Sequence, residues 1–576
     1  MSFRTNTFSS ITAAALLLLA AQRQSLAGSA TWSNNPSSGD WNDAANWMPN
    51  TVPNGTSDIA TFGTSNMTDV FNSNVIVNLD SLVFNPGAPF YTISAYLDNI
   101  ELYGTGIVNN SGTMQSFVAG TFLFFNSATA GNMTNFSNVG GYISFSDSSS
   151  AGSATIDLSD NMYQASVVFF DSSTAANATI NISGGAYVSL EGNATGGNAA
   201  FTITGVSFLA IAEKATADHA SATCVGGIQE FGAGIFFQGF GSAGEGTFTA
   251  VGASSSGEKG SYIEFDGSAT AANATFVIGG GLGAGLATTT LTFFNTTTAG
   301  AANITANGGV GGSDGGAIIF TNKAKGGTAS ITLNGNAELD ISTHSAPGMT
   351  IGSLSGSGSV LLGARLLTIG SNNQSTTFSG VIQDTGGVTK SGTGTLMLSG
   401  ANTYTGNTSV SKGVLVAANK RDSATGTGSV NVNSGTLGGK GIIAGAVTVG
   451  TGTGTGAILQ PSVGVSQPVK LTLQSSVTFK ADSTYTYKLS TQKAKGDQVV
   501  ANGVTIESGA QFNFTALANK RLAAGTVFTA ISNTAATPIS GTFANLADGS
   551  IITAGRNNLQ VSYTGGDGND LTLTVQ

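Results

Sequence analysis

The sequence predicts an all-β chain wound into a parallel β-solenoid, and three observations carry the prediction. One phrase built from Phe, Ala, Thr, Asn and Gly keeps returning: FFDSSTAANATINISGG at 169–185, FDGSATAANATFVIGG at 265–280 and FNTTTAGAANITANGG at 294–309. Aligning it marks Met133, Ala154, Ala178, Ala199, Ala222, Gly246, Ala274, Ala302 and Ala329, with gaps of 21 to 28 residues. That period suits one solenoid coil and is too short for a propeller blade or a sandwich. The third observation is composition: 82 glycines stand beside only 9% charged residues, against about 25% in ordinary soluble proteins. Ser, Thr and Asn must therefore wet the surface, which suits strands better than surface helices rich in Glu and Lys.

The elements follow in chain order. Arg4, an apolar run ITAAALLLLAA at 11–21 and a small residue at Ala27 predict a secretory signal peptide over 1–27. No later run approaches the roughly 18 apolar residues of a spanning helix, so the mature chain is expected not to span a membrane. Trp32, Trp41 and Trp47 are the only tryptophans. Packed together they would close the first coil, giving an N-terminal cap and first coils over 28–120, since a solenoid must protect its terminal edges.

The short-repeat solenoid is placed over 121–335. Each corner is preceded by a β-prone run, such as YISF at 142–145, VVFF at 167–170, YIEF at 262–265 or AIIF at 317–320, and followed by another, such as TIDL at 155–158 or TINI at 179–182. Two positions before each aligned residue stands Gly131, Gly152, Ala176, Gly197, Ala220, Gly244, Ala272, Gly300 or Gly327, as a tight corner selects. Coils stacked about 4.8 Å apart would superimpose Phe145, Phe170, Phe265, Phe294 and Phe320 as an internal aromatic column. Residues 28–495 would then hold about 19 coils in a rod on the order of 90 Å.

From Met349 the wording changes. The segment KSGTGTLMLSGANTYTGNTSVSKGVLV, 390–416, closely resembles the autotransporter-associated β-strand repeat of bacterial passenger domains, as do LSGSGSV at 354–360 and SGTLGGKGIIAGAVTV at 434–449. The resemblance covers 349–576 and, more loosely, 125–335. It implies a right-handed parallel β-helix, exported and either displayed at the cell surface or released. Residues 336–495 would be the solenoid built of this repeat. Residues 496–576 would be a C-terminal β cap, where GTFANLADGS and SYTGGDGNDLTL resemble the closing region of passengers. The family's outer-membrane barrel would follow there, yet the sequence stops at Gln576, so the expected export pore is a separate chain.

Candidate chemistry is thin. A charge of −10 and a pI near 4.6 disfavour nucleic acid and anionic membranes, which need clustered Lys and Arg. Cys224 stands alone, so no disulfide framework exists; the alignment sets it level with Ile180, facing inward as a small hydrophobe. GGDGND at 565–570 resembles one copy of a calcium nonapeptide, but Thr572 stands where an apolar residue belongs, and a Gly-Asp turn is the expectation. GGSDG at 311–315 fits a nucleophile-elbow pattern around Ser313, though neither His219, placed at a corner level with Ala175, nor His344 is tied to it. GKGIIA at 439–444 matches a dinucleotide pattern with no helix after it.

Asp171, Glu191, Glu264 and Asp266 sit beside repeat phenylalanines at equivalent places in different coils, and are read as a solvated row along one flank. Lys323, Lys325 and Lys390 are read as isolated solvated charges. The sequence thus nominates no catalytic, cofactor-binding or metal-binding residue and no cofactor. It points to an exported, adhesive structural or interaction protein rather than an enzyme. The alternative is a carbohydrate-active β-helix enzyme, a lyase or hydrolase. Expected partners are surface glycans or further copies of the chain, met through the polar flanks.

Overall fold

The computed structural model describes residues 28–576 apart from 74, 140, 160–164, 229–231, 256–257 and 285–287. The expected signal peptide lies outside the described residues. Four- or five-residue runs alternating apolar and polar side chains form the walls, because alternation puts one face of a strand inside and the other in water. The result is a parallel β-solenoid of about 19 turns. Its first face stacks strands such as Ser153–Ser159, Thr179–Ser183, Ala200–Thr204, Ser221–Val225 and Thr247–Val251. The second stacks Tyr142–Phe145, Ser166–Phe169, Tyr187–Leu190, Phe208–Ile211, Gly234–Phe237 and Tyr262–Phe265. All these pairings are parallel and in register.

Register fixes which side chains meet. On the first face Ile156, Ile180, Phe201, Ala222, Phe248, Phe276, Ile304 and Ile331 follow one another from coil to coil, and all are buried. Ala222 is therefore level with Ile180, two residues from the place the alignment gave it. The residue level with Ala199 is Ala220, next to the Ala200 and Ser221 pair. Cys224 is level with Ile203 and Ile182 rather than Ile180, and it is fully buried.

The aromatic column exists, but one residue away from two of its expected members. Phe124, Phe145 and Phe169 stack at centroid distances of 4.7 and 4.8 Å, and Phe237, Phe265, Phe293 and Phe320 at 4.4, 4.8 and 4.7 Å. Leu190 and Ile211 bridge the two stacks. Phe170 and Phe294 follow the inward residues, turn outward at the corner, and are only half-buried. The error is one of parity: in a tandem Phe pair, period two sends one ring in and its neighbour out.

The third side of the coil is at first a single bridging residue per turn, from Gly106 and Thr129 to Thr298 and Lys325. At Gly348–Ile351 it widens into a full strand and continues through Leu366–Ile369, Gly387–Lys390, Thr408–Val410 and onward to Val504–Ile506. The change of wording at Met349 is thus the point where a two-walled coil becomes three-walled.

Both ends turn antiparallel. At the start Ala30–Trp32 pairs antiparallel with Trp47–Met48 and parallel with Ile59–Phe62. Trp47 packs edge-on against Trp32 and Trp41 at 5.0 and 4.8 Å, over Phe62. At the other end Val527–Asn533, Asp570–Val575, Asn557–Gly565 and Ile551–Ala554 run antiparallel in succession, so that wall of the last coil ends on an antiparallel edge. No helix among the described residues is long and apolar enough to cross a membrane.

Candidate interaction surface

Two polar corners run the length of the short-repeat solenoid. At the first, Thr129, Ser150, Thr174, Thr195, Thr216, Ser242, Thr270, Thr298 and Lys325 are bridged coil to coil. In seven of these coils the Thr or Ser hydroxyl accepts the backbone N–H two residues on, at 3.0 or 3.1 Å. That next residue is left-handed in every coil: Gly131, Gly152, Ala176, Gly197, Asp218, Gly244, Ala272, Gly300 and Gly327 have φ between +48° and +79°. Small residues dominate because a Cβ is strained there. The fifth member is Asp218, not Ala220; Asp visits this conformation more readily than most residues, so the small-residue rule missed it.

At the second corner Asn126, Asp147, Asp171, Gly192, Glu213, Gly239, Gly267, Asn295 and Asn322 are also left-handed. Carboxylates there reach one coil back. Asp147 accepts the Asn126 N–H at 2.8 Å, Asp171 the Asp147 N–H at 3.1 Å and Glu213 the Gly192 N–H at 2.9 Å. The four acids expected at equivalent places fall instead on three rows. Asp171 is in this left-handed row, Glu191 and Asp266 one residue earlier, level with Phe170, and Glu264 on the outer side of Tyr262–Phe265. Glu264's carboxyl is pushed up, chiefly by burial and then by the charge of Asp266.

The remaining candidates resolve into structural roles. Ser313 is buried with its hydroxyl against the carbonyls of Gly281 and Val310, at 2.6 and 2.7 Å. No imidazole joins it: His219 lies exposed between Asp218 and Glu245, at 2.8 and 3.3 Å, and His344 faces the carbonyls of Ser345 and Ala324. His219 does sit at a corner, but its N–H bonds Gly197 as that of Asn198 bonds Ala176. It is therefore level with Asn198 and Asn177 rather than Ala175. Residues 565–570 form the turn between two antiparallel strands, not one of a stack of parallel turns. Asp570 in that turn spends an oxygen on the Asn533 N–H at 2.9 Å. Gly439 and Gly441 flank a break between two strands. Among the described residues no group of three or more His, Cys, Asp or Glu is placed to hold a metal ion.

Lys390 overturns its reading as a solvated charge. It is 1% exposed, and its ammonium donates to the carbonyls of Ser391, of Gly392 at 2.9 Å and of Lys412 at 3.3 Å. It ties two coils of the third wall together from inside. Burial pushes its ammonium down to about 8. Its sequence signal was parity: Val388 and Lys390 share the inward side of Gly387–Lys390.

What these elements define is a repeat protein, a β-solenoid whose surface is built of repeated polar corners. Residues 388–417, around the buried lysine, match the passenger-associated-transport-repeat family. A relative among characterised proteins is an adhesin, the BmaC autotransporter of Brucella suis biovar 1 (strain 1330), 38% identical over 111 residues. The match covers 19% of this chain and 3% of the length of that relative. Among solved structures, the crystal structure of the Haemophilus influenzae Hap adhesin aligns over 90% of this chain and 64% of its own, at 12% identity and a TM-score of 0.34.

Proposed function

We propose that this chain is an exported, elongated passenger that works by adhesive display, at the cell surface or after release. The observation that carries the reading is the passenger-associated transport repeat set within a long stack of coils that repeat the same polar corners. One weak contact per coil, repeated along a rigid rod, gives binding strength by multiplicity rather than by a single deep site. The partial match to an adhesin supports a non-enzymatic role, as does the dispersal of acids over separate rows, where acid-base chemistry would need them to converge. The partners that fit such flanks are surface glycans or further copies of the same chain.

The test has two arms. Fractionation of producing cells with an antibody to the solenoid should place the chain in the envelope or the medium; retention in the cytoplasm would refute export. Beads coated with the full-length chain should adhere to glycan-bearing surfaces or to one another, whereas beads coated with heat-unfolded chain should not. Release of sugars from a polysaccharide panel by the purified chain would instead support the enzyme.

A further inference from the structure

Positive charge is scarce in this chain, 20 Lys and Arg against 30 Asp and Glu, yet two lysines line one cleft where the third wall begins. In each preceding coil the residue after the bridged corner position donates its N–H to the corner carbonyl of the next coil, from Ala130 onto Ser150 through to Ala299 onto Lys325. Among the described residues the series stops there, and Gly326 makes no such bond. The following coil instead swings through residues 345–347 before entering Gly348–Ile351. Between the two coils lies a cleft of about 500 Å³ whose lining includes Lys323, Lys325, Gly326, His344, Ser345 and Thr350.

The charged side chains of its lining, Lys323 and Lys325, are of one sign. Lys323 and Lys325 are exposed, and among the described residues neither is ion-paired. Lys325 stands where the coils from Thr129 to Thr298 carry Thr or Ser. His344 is buried with Nδ1 and Nε2 each 2.7 Å from a carbonyl oxygen, so both ring nitrogens are engaged within the chain. Arg365, from the next coil and outside the lining, donates through Nε to the His344 carbonyl and so holds that backbone in place. Among the described residues none of the nearby acids is ion-paired with these lysines: Asp314 is exposed, Glu338 accepts from the Ser359 hydroxyl at 3.4 Å, Asp340 accepts the Ser342 N–H at 2.7 Å and Asp384 the Gly363 N–H at 2.9 Å.

We propose that this cleft binds the carboxylate or sulfate groups of an acidic polysaccharide. Ammonium donors without a carboxylate partner are matched by an oxyanion, and net repulsion from a −10 chain means that only local convergence of charge can hold one. Two exposed lysines are too few for a nucleic-acid backbone, whose affinity grows with the number of phosphates neutralised. A linear glycan suits the surroundings, because the corner leading to the cleft offers Thr298, Thr270 and Ser242, one hydroxyl per coil at about 4.8 Å spacing. The choice of a glycan as carrier rests on the adhesive reading; the choice of an anion does not.

Calorimetric titration of the full-length chain tests this, with oligogalacturonate, a neutral galactose oligomer and polyglutamate as probes. Oligogalacturonate is expected to bind, to weaken at high salt, and to lose about tenfold or more in affinity in the Lys323→Ala/Lys325→Ala variant. The Lys323→Arg/Lys325→Arg variant should retain binding, and the neutral oligomer should not bind. Absence of oligogalacturonate binding, equal binding by the alanine variant, or equally tight polyglutamate binding overturns the proposal. Bead adherence separates it from the broader reading: alanine-variant beads that adhere like wild type sink the cleft and leave adhesion standing, whereas wild-type beads that fail to adhere sink adhesion itself.

Discussion

Replacing Phe293 by Ala and, separately, Phe294 by Ala should have sharply unequal effects although the residues are neighbours. Phe293 is fully buried and stacked between Phe265 at 4.8 Å and Phe320 at 4.7 Å, with interplanar angles of 16° and 7°. Truncating a buried Phe costs about 3–5 kcal/mol, and each stacked pair adds roughly 0.5–1.5 kcal/mol beyond area, so the upper part of that range applies. Phe294 is half-buried at the corner, and burying a whole Phe is worth only about 1.5–3 kcal/mol, which leaves roughly 1 kcal/mol to lose. The gap of about 3 kcal/mol corresponds to roughly a hundredfold in local opening. Because each coil touches only its neighbours, hydrogen exchange should report it in the strands Tyr262–Phe265, Thr290–Phe293 and Ala317–Phe320. Exchange there should speed up strongly in the first variant and little in the second. Equal acceleration in the two, or a larger effect from Phe294→Ala, would refute the inward register.

Three further outcomes follow from the same physics. Lys390→Met should lower the urea midpoint, because the partly exposed carbonyls of Ser391, Gly392 and Lys412 lose a charged donor, a loss of about 1.5–3 kcal/mol for a hydrogen bond to a charged group. With the folded-state ammonium at about 8 and the unfolded one near 10.4, the unfolded chain holds the extra proton between those values. Stability from this lysine therefore rises with pH there, and the deficit of Lys390→Met should be larger at pH 10 than at pH 7. Cys224, whose thiol burial pushes up to about 12, should resist thiol reagents in the native chain and react only on unfolding, read by mass spectrometry after pulse labelling. Since the only tryptophans are buried in the N-terminal cap, Trp47→Ala should remove the coupled near-ultraviolet circular dichroism of the cluster. It should also raise exchange in Ile59–Phe62 while leaving coils beyond Gly348 protected.

Much of this architecture was legible because the repeat is a chemical necessity repeated in letters. The left-handed position of each coil favours Gly and small or polar residues, and the bridged hydroxyl two residues before it at the first corner is Thr or Ser from Thr129 to Thr298, so the phrase recurs where the chain turns. What escaped was parity and phase. In VVFF, Val168 is 5% exposed despite pointing away from the column, so no polar residue marked the outward side and either Phe could have been inward. Around 218–222 the corner carries Asp218 followed by His219, and the nearby alanines Ala220 and Ala222 offered a false small-residue pair two positions late. Lys390 was hidden because a buried ammonium satisfied by backbone carbonyls looks, in sequence, like any surface lysine. The cationic cleft was equally hidden, since Lys323 and Lys325 meet His344 only through coil stacking across some 20 residues.

Distances along one corner test the stacking most directly. Asn177, Asn198, His219, Glu245, Asn273, Ala301 and Thr328 are exposed and succeed one another coil by coil, so spin labels on cysteines introduced there should leave the buried Cys224 untouched. Pulsed electron-spin distance measurements should give about 19 Å for the pair at 177 and 273, four coils apart, and about 29 Å for the pair at 177 and 328, six coils apart, growing by about 4.8 Å per coil. Distances that fail to grow evenly with the number of coils between the labels would contradict a continuous solenoid.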